Sequence, residues 1–351
     1  MIRKVLHIHL KEPILIRDKK GVGNVLQSKG YIPGTTLRGA LAFAYLSMNG
    51  KSANDENFRE FFLANKIRYG HAYPAKTGKN YRSLPIPATA RSCKYNPGFI
   101  VNPFIQKDDP HGVMDILFPW VFYLLNEKNN IDFPHQYRKC LPDRWNLNIH
   151  CEAPLEPFEG FYLINGTNNY ERIEIKKRLV QRTAINEWTQ TAWANKLYSI
   201  EFIERGQEFI SEMLIDDSLL KDFEQFINDK SEIFIGGKKN IASGRVNIEL
   251  KDPTPFPNRE ELEQRFRNMD KAFTDFCQKY GTNSGNKFTF FTITLQSDTI
   301  IQDKWFRYKN FIDIDDLKSA VKNEDPSILD NFKLFHAWIN TDTVAGWNLA
   351  P

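Results

Sequence analysis

The segment Tyr31-Ile-Pro-Gly-Thr-Thr-Leu-Arg-Gly-Ala-Leu-Ala42 constrains the fold of this chain more than any other. Pro33 fixes its own φ and pushes Ile32 out of the helical region, so the chain must arrive extended. Gly34 permits a sharp change of direction. Leu37, Leu41, Ala44 and Met48 then recur near helical spacing, which predicts a helix with one apolar stripe, and Thr35 or Thr36 can cap it. A helix opened by Gly and Thr, with Arg38 in its first turn, is also an anion site. Its free N–H groups and its dipole both favour a phosphate. A capped amphipathic helix after a loop explains the same residues with no ligand at all.

The elements around this turn suggest an α+β chain. Residues 4–10 alternate as a strand, with Leu6, Ile8 and Leu10 toward a core and Val5, His7 and His9 on the other face. A second amphipathic helix is expected over 54–64. From about 70 to 160 the chain is rich in Pro, Asn and Gly and shows no periodicity, which reads as an irregular insertion. Beyond it, 161–163 and 172–180 alternate like strands. Segments 196–204 and 207–214 read as two strands joined by a turn at Gly206. Residues 217–229 have a helical pattern, with Leu219, Leu220, Phe223, Phe226 and Ile227 on one face. Short strands follow at 232–237 and 245–250. Residues 251–258 carry three prolines and read as a linker. A charged helix over 259–280, a strand over 288–295 and an apolar-aromatic run over 329–339 complete the pattern.

At 351 residues, 41% of them hydrophobic, the chain has material for two or three domain-sized units. The densest apolar run, 114–125, is too short to span a bilayer, and the N-terminus lacks a signal-peptide pattern. Four cysteines, Cys93, Cys140, Cys151 and Cys277, form no dense disulfide framework, so a reducing cytoplasm is the simplest expectation. The net charge of +4 conceals an asymmetry. Residues 1–100 hold 17 Lys/Arg and 5 Asp/Glu, so the remaining chain is net acidic. A basic N-terminal third suits a polyanion such as nucleic acid.

A second glycine-rich segment, Ile235-Gly-Gly-Lys-Lys-Asn-Ile-Ala-Ser-Gly-Arg-Val246, surrounds Gly236 and Gly237 with Lys238, Lys239 and Arg245. Such a loop can hold phosphate through backbone N–H groups, with lysines as point charges and arginine as a fork. It lacks the order of a Walker A loop, and a basic hairpin turn is the plain alternative. Arg182-Thr-Ala-Ile185 precedes a stretch with Trp188 and Trp193. Aromatics beside basic residues can stack on bases, or simply pack on their own hairpin.

Ile-Pro-Gly-Thr-Thr-Leu-Arg-Gly at 32–39 closely resembles the I-P-G-[ST]-[ST]-[LI]-[RK]-G signature of CRISPR-associated RAMP proteins. The family's glycine-rich loop is similarly matched by Gly236, Gly237, Lys238, Gly244, Arg245 and Val246, though Ile241-Ala242 stand where Arg-Gly is usual. Further islands resemble the RAMP subunit of type III-D effector complexes: 85–94, 111–115, 154–162, 182–185 with 197–209, 290–298 with 306–308, and 344–348. The resemblance implies two ferredoxin-like (RRM-like) domains. The first covers 1–250, with the insertion at about 70–160 and a projecting hairpin at about 180–214. After the 251–258 linker, the second covers 259–351 and is expected to be incomplete, since the family's usual stretch after Gly-Trp-Asn is not matched. It implies a non-catalytic subunit that binds guide RNA at its 5′ repeat-derived end and docks neighbouring RAMP subunits and a large polymerase-like subunit, with target RNA nearby. The RNA-contact candidates, drawn from the residues themselves and from the resemblance together, are Thr35, Thr36, Arg38, Arg182, Trp188, Gly236, Gly237, Lys238, Lys239, Gly244 and Arg245.

Two alternatives stay open. RAMP processing enzymes use histidine as a general acid or base, so His7 and His9, with Asp18 as the nearest upstream carboxylate, are the candidates for an endoribonuclease. Target-cutting members carry an Asp shortly before the Ile-Pro-Gly turn, and 21–30 hold no carboxylate, which points away from cleavage. No cofactor is required by the sequence, but Cys93, His111, Cys140 and Cys151 are the right residue types for a zinc ion, with buried free thiols as the alternative.

Overall fold

The computed structural model describes residues 1–18, 24–78, 82–100, 108–126, 132–134, 137–141, 151–164, 169–185, 188–189, 191–237, 243–253, 259–280, 300–309 and 311–320; of these, the side chains of 184, 192–196 and 320 are not described. Over these residues the protein is a mixed α+β structure with several antiparallel sheets.

The largest sheet has five strands. They are ordered β13 (Glu232–Phe234), β14 (Arg245–Lys251), β1 (Ile2–Leu10), β12 (Glu208–Ile215) and β3 (Ile67–Ala75), with every neighbour antiparallel. Because β1 alternates, Leu6, Ile8 and Leu10 all face one side. There they pack against α1 (Gly34–Leu46), α2 (Glu56–Phe62) and α4 (Leu220–Asp229) through Leu37, Leu41, Ala44, Phe58, Phe61, Phe223, Phe226 and Ile227. A knot of rings fills the centre: Phe61 and Phe223 meet edge to face at 5.2 Å, and Tyr45 meets Phe226 at 5.4 Å. On the opposite face Val5, Ala75 and Ile210 form a small cluster.

The entry to α1 differs from the sequence expectation in two ways. Ile32 is extended, bridging Ala72 with bonds of 2.9 and 2.8 Å, as Pro33 requires. The helix N-cap is Pro33 itself, and no side chain caps the helix; Thr35 and Thr36 lie inside the first turn. Gly34 does not serve as a left-handed hinge. It is needed because a Cβ there would sit 2.2 Å from the Tyr69 carbonyl oxygen of β3.

A second sheet joins β10 (Lys177–Ile185), β11 (Ala192–Ile203) and β2 (Val25–Leu26). β10 and β11 are antiparallel from Lys177↔Ile203 to Ile185↔Ala192, with an irregularity between Thr183 and Ile185, while β2 adds in parallel. The expected pairing of 196–204 with 207–214 does not occur. Gly206, with φ of +82°, passes the chain from this sheet into the five-stranded one, so β11 and β12 have different partners.

The stretch 70–160 is less irregular than its composition suggests. After β3 come β4 (Leu84–Pro85), β5 (Ala90–Cys93), β6 (Val113–Asp115), α3 (Leu117–Asn126) and β7 (Leu155–Pro157). The strands form two small sheets: β6-β5-β7, and β4 with β8 (Phe161–Ile164) and β9 (Tyr170–Ile173). Helix α5 (Arg259–Lys279) packs on α3, where Phe122, Phe273 and Cys277 are buried together. A hairpin of β15 (Ile301–Gln302) and β16 (Tyr308–Lys309) precedes α6 (Ile314–Ala320). The expected linker core 254–258, the strand at 288–295 and the run at 329–339 lie outside the described residues. Among the described residues no helix is long and apolar enough to cross a membrane.

Candidate nucleic-acid interface

The first turn of α1 divides cleanly into a packed and an open side. Gly34, Leu37, Ala40 and Leu41 are buried, whereas Thr35, Arg38 and Gly39 are exposed and Thr36 is intermediate. Pro33 brings no N–H, so the helix start leaves over three, those of Gly34, Thr35 and Thr36, and the Leu37 N–H makes the first intrahelical bond. Gly34 N–H donates to His71 Nδ1 at 3.1 Å, and Leu37 N–H donates to the Pro33 carbonyl at 3.0 Å. His71 must therefore accept through Nδ1 and is held as the Nε2–H tautomer. Among the described residues nothing accepts from the Thr35 and Thr36 amides, which open beside Arg38. A Cβ added at Gly39 would meet nothing within 4 Å. An exposed glycine inside a helix costs up to about 1 kcal/mol relative to alanine, and no packing contact here explains it.

The glycine-rich loop is fixed at both ends. Ile235 N–H donates to Gly244 O at 2.8 Å, Gly244 N–H to Pro13 O at 3.0 Å and Gly237 N–H to Leu15 O at 3.0 Å. Gly236, with φ of +92°, would place a Cβ 2.5 Å from the Leu15 carbonyl, and Gly244 has φ of +105° against the Ile235 carbonyl. Both glycines are demanded by this seat on the segment after β1. Gly237 has no such constraint. Lys238, Lys239 and the Ile241-Ala242 departure lie outside the described residues. Arg245 is not the free phosphate fork expected from the sequence. Its Nε is 3.1 Å from Glu12 Oε1, and Glu232 lies 3.9 Å from its Nη1.

Arg182 is exposed on β10, and Trp188, 94% exposed, lies between β10 and β11. The root of these strands is apolar: Leu15, Ile200 and Phe202 are buried with Leu26, Val180 and Tyr198 against them. At the same level Leu179, between the Phe202 and Val180 positions, is exposed, and farther out Ile185 and Leu197 are exposed. The Trp193 side chain is outside the described set.

His7 and His9 face away from the helices, beside β12 and β14. They line a cleft of about 610 Å³ with Lys11, Glu208, Glu249 and Lys251. His9 Nδ1 is 3.7 Å from Glu208 Oε1. His7 Nε2 is buried without a hydrogen-bond partner among the described residues. Burial first, and the Lys251 charge second, lower its pKa below the ordinary histidine value. Asp18 follows the segment that seats the glycine loop, where its N–H donates to the Gln27 carbonyl at 2.8 Å. It does not line the cleft of the two histidines.

Cys93, His111, Cys140 and Cys151 come from four separate segments and converge, with their possible ligand atoms all within 4.8 Å of one another. Burial, followed by the neighbouring Cys93 and Cys151 thiols, pushes the Cys140 thiol far above its ordinary pKa. Cys277 stands apart, buried against α3.

The model of the RAMP superfamily matches residues 7–247, more than half of the chain. The chain belongs to the RAMP superfamily. No curated protein matches it. Among solved structures this RAMP protein is similar to a chain of the type III-B Cmr-beta complex bound to cognate target RNA, at 15% identity and a TM-score of 0.37, covering 71% of this chain and 97% of that one. It is also similar to a chain of a type IV-B CRISPR complex, at 12% identity and a TM-score of 0.31, covering 75% and 98%. Oligomeric Cmr4 from Pyrococcus furiosus gives 13% identity and a TM-score of 0.30, covering 73% and 100%.

Two features of the interface had no signal in the sequence. His71 accepts the first N–H of α1 from 37 residues away, and Glu12 occupies Arg245 from 233 residues away. Neither partner carries a local pattern that marks it.

Proposed function

We propose that this RAMP protein is a non-catalytic, guide-RNA-binding structural subunit of a type III-D-like CRISPR effector complex, working in a prokaryotic cytoplasm. It holds the 5′ repeat-derived end of the guide and docks neighbouring RAMP subunits and a large polymerase-like subunit. The observation that carries this reading is the open first turn of α1. Two undonated amides, Arg38 and a glycine without a packing role share one exposed surface. That surface suits a phosphodiester that must approach the backbone closely, and it is indifferent to base identity.

The strand order β14-β1-β12-β3, with α1 before β3 and α4 before β14, supports reading the first 250 residues as a ferredoxin-like unit. The linker at 251–258 and a second such unit over 259–351 belong to the same proposal, as does RNA stacking by Trp188 beside Arg182.

Filter binding of a guide RNA over a salt series tests the reading. Arg38→Ala is expected to weaken binding and to reduce the slope of log K against log salt by about 0.7, the value for one single-stranded phosphate contact. Unchanged affinity and slope would remove α1 from the interface. In parallel, repeat and target RNAs are incubated with the protein, with and without Mg²⁺. Specific cleavage abolished by His7→Ala, His9→Ala or Asp18→Asn would replace the proposal with an endoribonuclease.

A further inference from the structure

The insertion sheet β6-β5-β7 brings four chain segments to one point with little apolar material to keep them there. Its buried cluster consists of Cys93, Cys140 and Ala153, with Cys151 and Leu155 partly buried against it. Backbone bonds set the positions: Lys94 N–H to Pro154 O at 3.1 Å, Cys140 N–H to Ala153 O at 2.9 Å, and His111 N–H to Asn96 O at 2.9 Å. All three cysteine side chains and the His111 imidazole turn inward.

All four possible ligand atoms lie within 4.8 Å of one another, and two of their separations match the edges of a tetrahedral shell. Cys93 Sγ and Cys151 Sγ are 3.9 Å apart, and Cys140 Sγ is 3.5 Å from His111 Nδ1. A tetrahedron with zinc–sulfur bonds of about 2.3 Å and a zinc–nitrogen bond of about 2.0–2.1 Å has S···S edges of about 3.8 Å and S···N edges of about 3.6 Å. His111 is only 4% exposed, and its Nε2 has no hydrogen-bond partner among the described residues. A histidine held among thiols in this way is placed as a ligand more than as a hydrogen-bonding core residue. Thiolate donors exclude magnesium and calcium, which take oxygen, and three sulfurs with one imidazole suit zinc.

We propose that Cys93, His111, Cys140 and Cys151 form a closed, structural zinc site that fastens the insertion. With all four positions filled by protein, no coordination site is left for water or substrate, so the ion holds the fold and does no chemistry. Binding replaces the thiol protons, which pass to solvent, and it ties the end of β5 to segments 18, 47 and 58 residues further along the chain. This inference is independent of the RNA-binding reading.

The test is elemental analysis of the full chain purified under reducing conditions without added metal, together with cobalt replacement. One zinc per chain is expected, and the cobalt form should show thiolate-to-metal charge transfer with tetrahedral d–d bands. Cys151→Ser changes the least buried ligand, and it should lose the zinc and the charge-transfer intensity of one sulfur. Cys277→Ser should retain both. If Cys151→Ser fails to fold, the wild-type cobalt spectrum and the Cys277→Ser control still decide the question. Less than about a tenth of an equivalent of zinc with no charge-transfer band, zinc retained in Cys151→Ser, or a Cys93–Cys151 disulfide found by mass spectrometry would each overturn the site.

Discussion

The five-stranded sheet with its helices and the small-sheet insertion solve the same problem with different means. In the first, β1 alternates cleanly, its neighbours pair over six to eight residues, and a continuous aromatic-aliphatic core is sealed by α1 and α4. At about 25 cal/mol per Å² of apolar surface removed from water, a core of this kind needs no further fastening. In the second, strands of two to four residues surround a cluster with three cysteines in it. Small units of this sort commonly depend on a staple such as a metal. Under the proposed zinc site, the contrast is between stability drawn from burial in the main sheet and stability drawn from coordination in the insertion.

Chelation should break the comparison most visibly. A strong chelator is expected to abolish amide-exchange protection in β5, β6 and β7 while leaving β1 and β12 protected, as read by exchange mass spectrometry. Equal loss in both would mean that the insertion is not fastened separately. Next in size, Phe223→Ala should cost about 3–5 kcal/mol in urea unfolding, because its ring meets Phe61, Phe226 and Tyr69 in the main core. Gly34→Ala is expected to cost about 1–3 kcal/mol or more, since the added methyl group collides with the Tyr69 carbonyl and α1 must shift. Gly39→Ala, five residues on, should do the opposite. With open space at that Cβ it should stabilise the fold by about 0.5–1 kcal/mol while weakening guide-RNA binding. A Gly39→Ala variant that gains stability and binds RNA undiminished would deprive the open helix face of its role.

The smallest effect is a pH slope. The His7 pKa is lowered in the fold, so the unfolded chain takes up that proton first. Its contribution is complete above the unfolded value of about 6.5 and is lost as pH falls through it toward the folded value. Urea midpoints measured between about pH 5 and 7 should decline with acidity less steeply in His7→Gln than in wild type.

What could be read from sequence follows the same division. β1, α1 and α4 were legible because their apolar residues recur at periods of two or 3.6, and α5 as a charged helical run after the prolines. The strands β4 to β7 were not, since two to four residues beside prolines establish no period. Gly206 looked like a hairpin turn because sequence shows where a chain bends, not which sheet receives it. In the candidate site, the Thr35–Arg38 turn and the four possible zinc ligands were visible as residue types. The withdrawal of Arg245 toward Glu12 and the capture of the Gly34 amide by His71 depend on contacts across the fold, which local patterns do not encode.

The two partners of β1 lie far along the chain. Ile2–Leu10 pairs with Glu208–Ile215 on one edge and with Arg245–Lys251 on the other. During synthesis, therefore, one edge of β1 waits about 200 residues for its partner and the other about 240, on the order of ten seconds or more at 5–20 residues per second. Throughout that interval the nascent chain carries an apolar strand whose backbone donors and acceptors lack their strand partners, although α1 and α2 are already made. The centre of the mature sheet is thus made long before the strands that complete it, so its exposed edges must be kept from pairing wrongly while the intervening chain is synthesised.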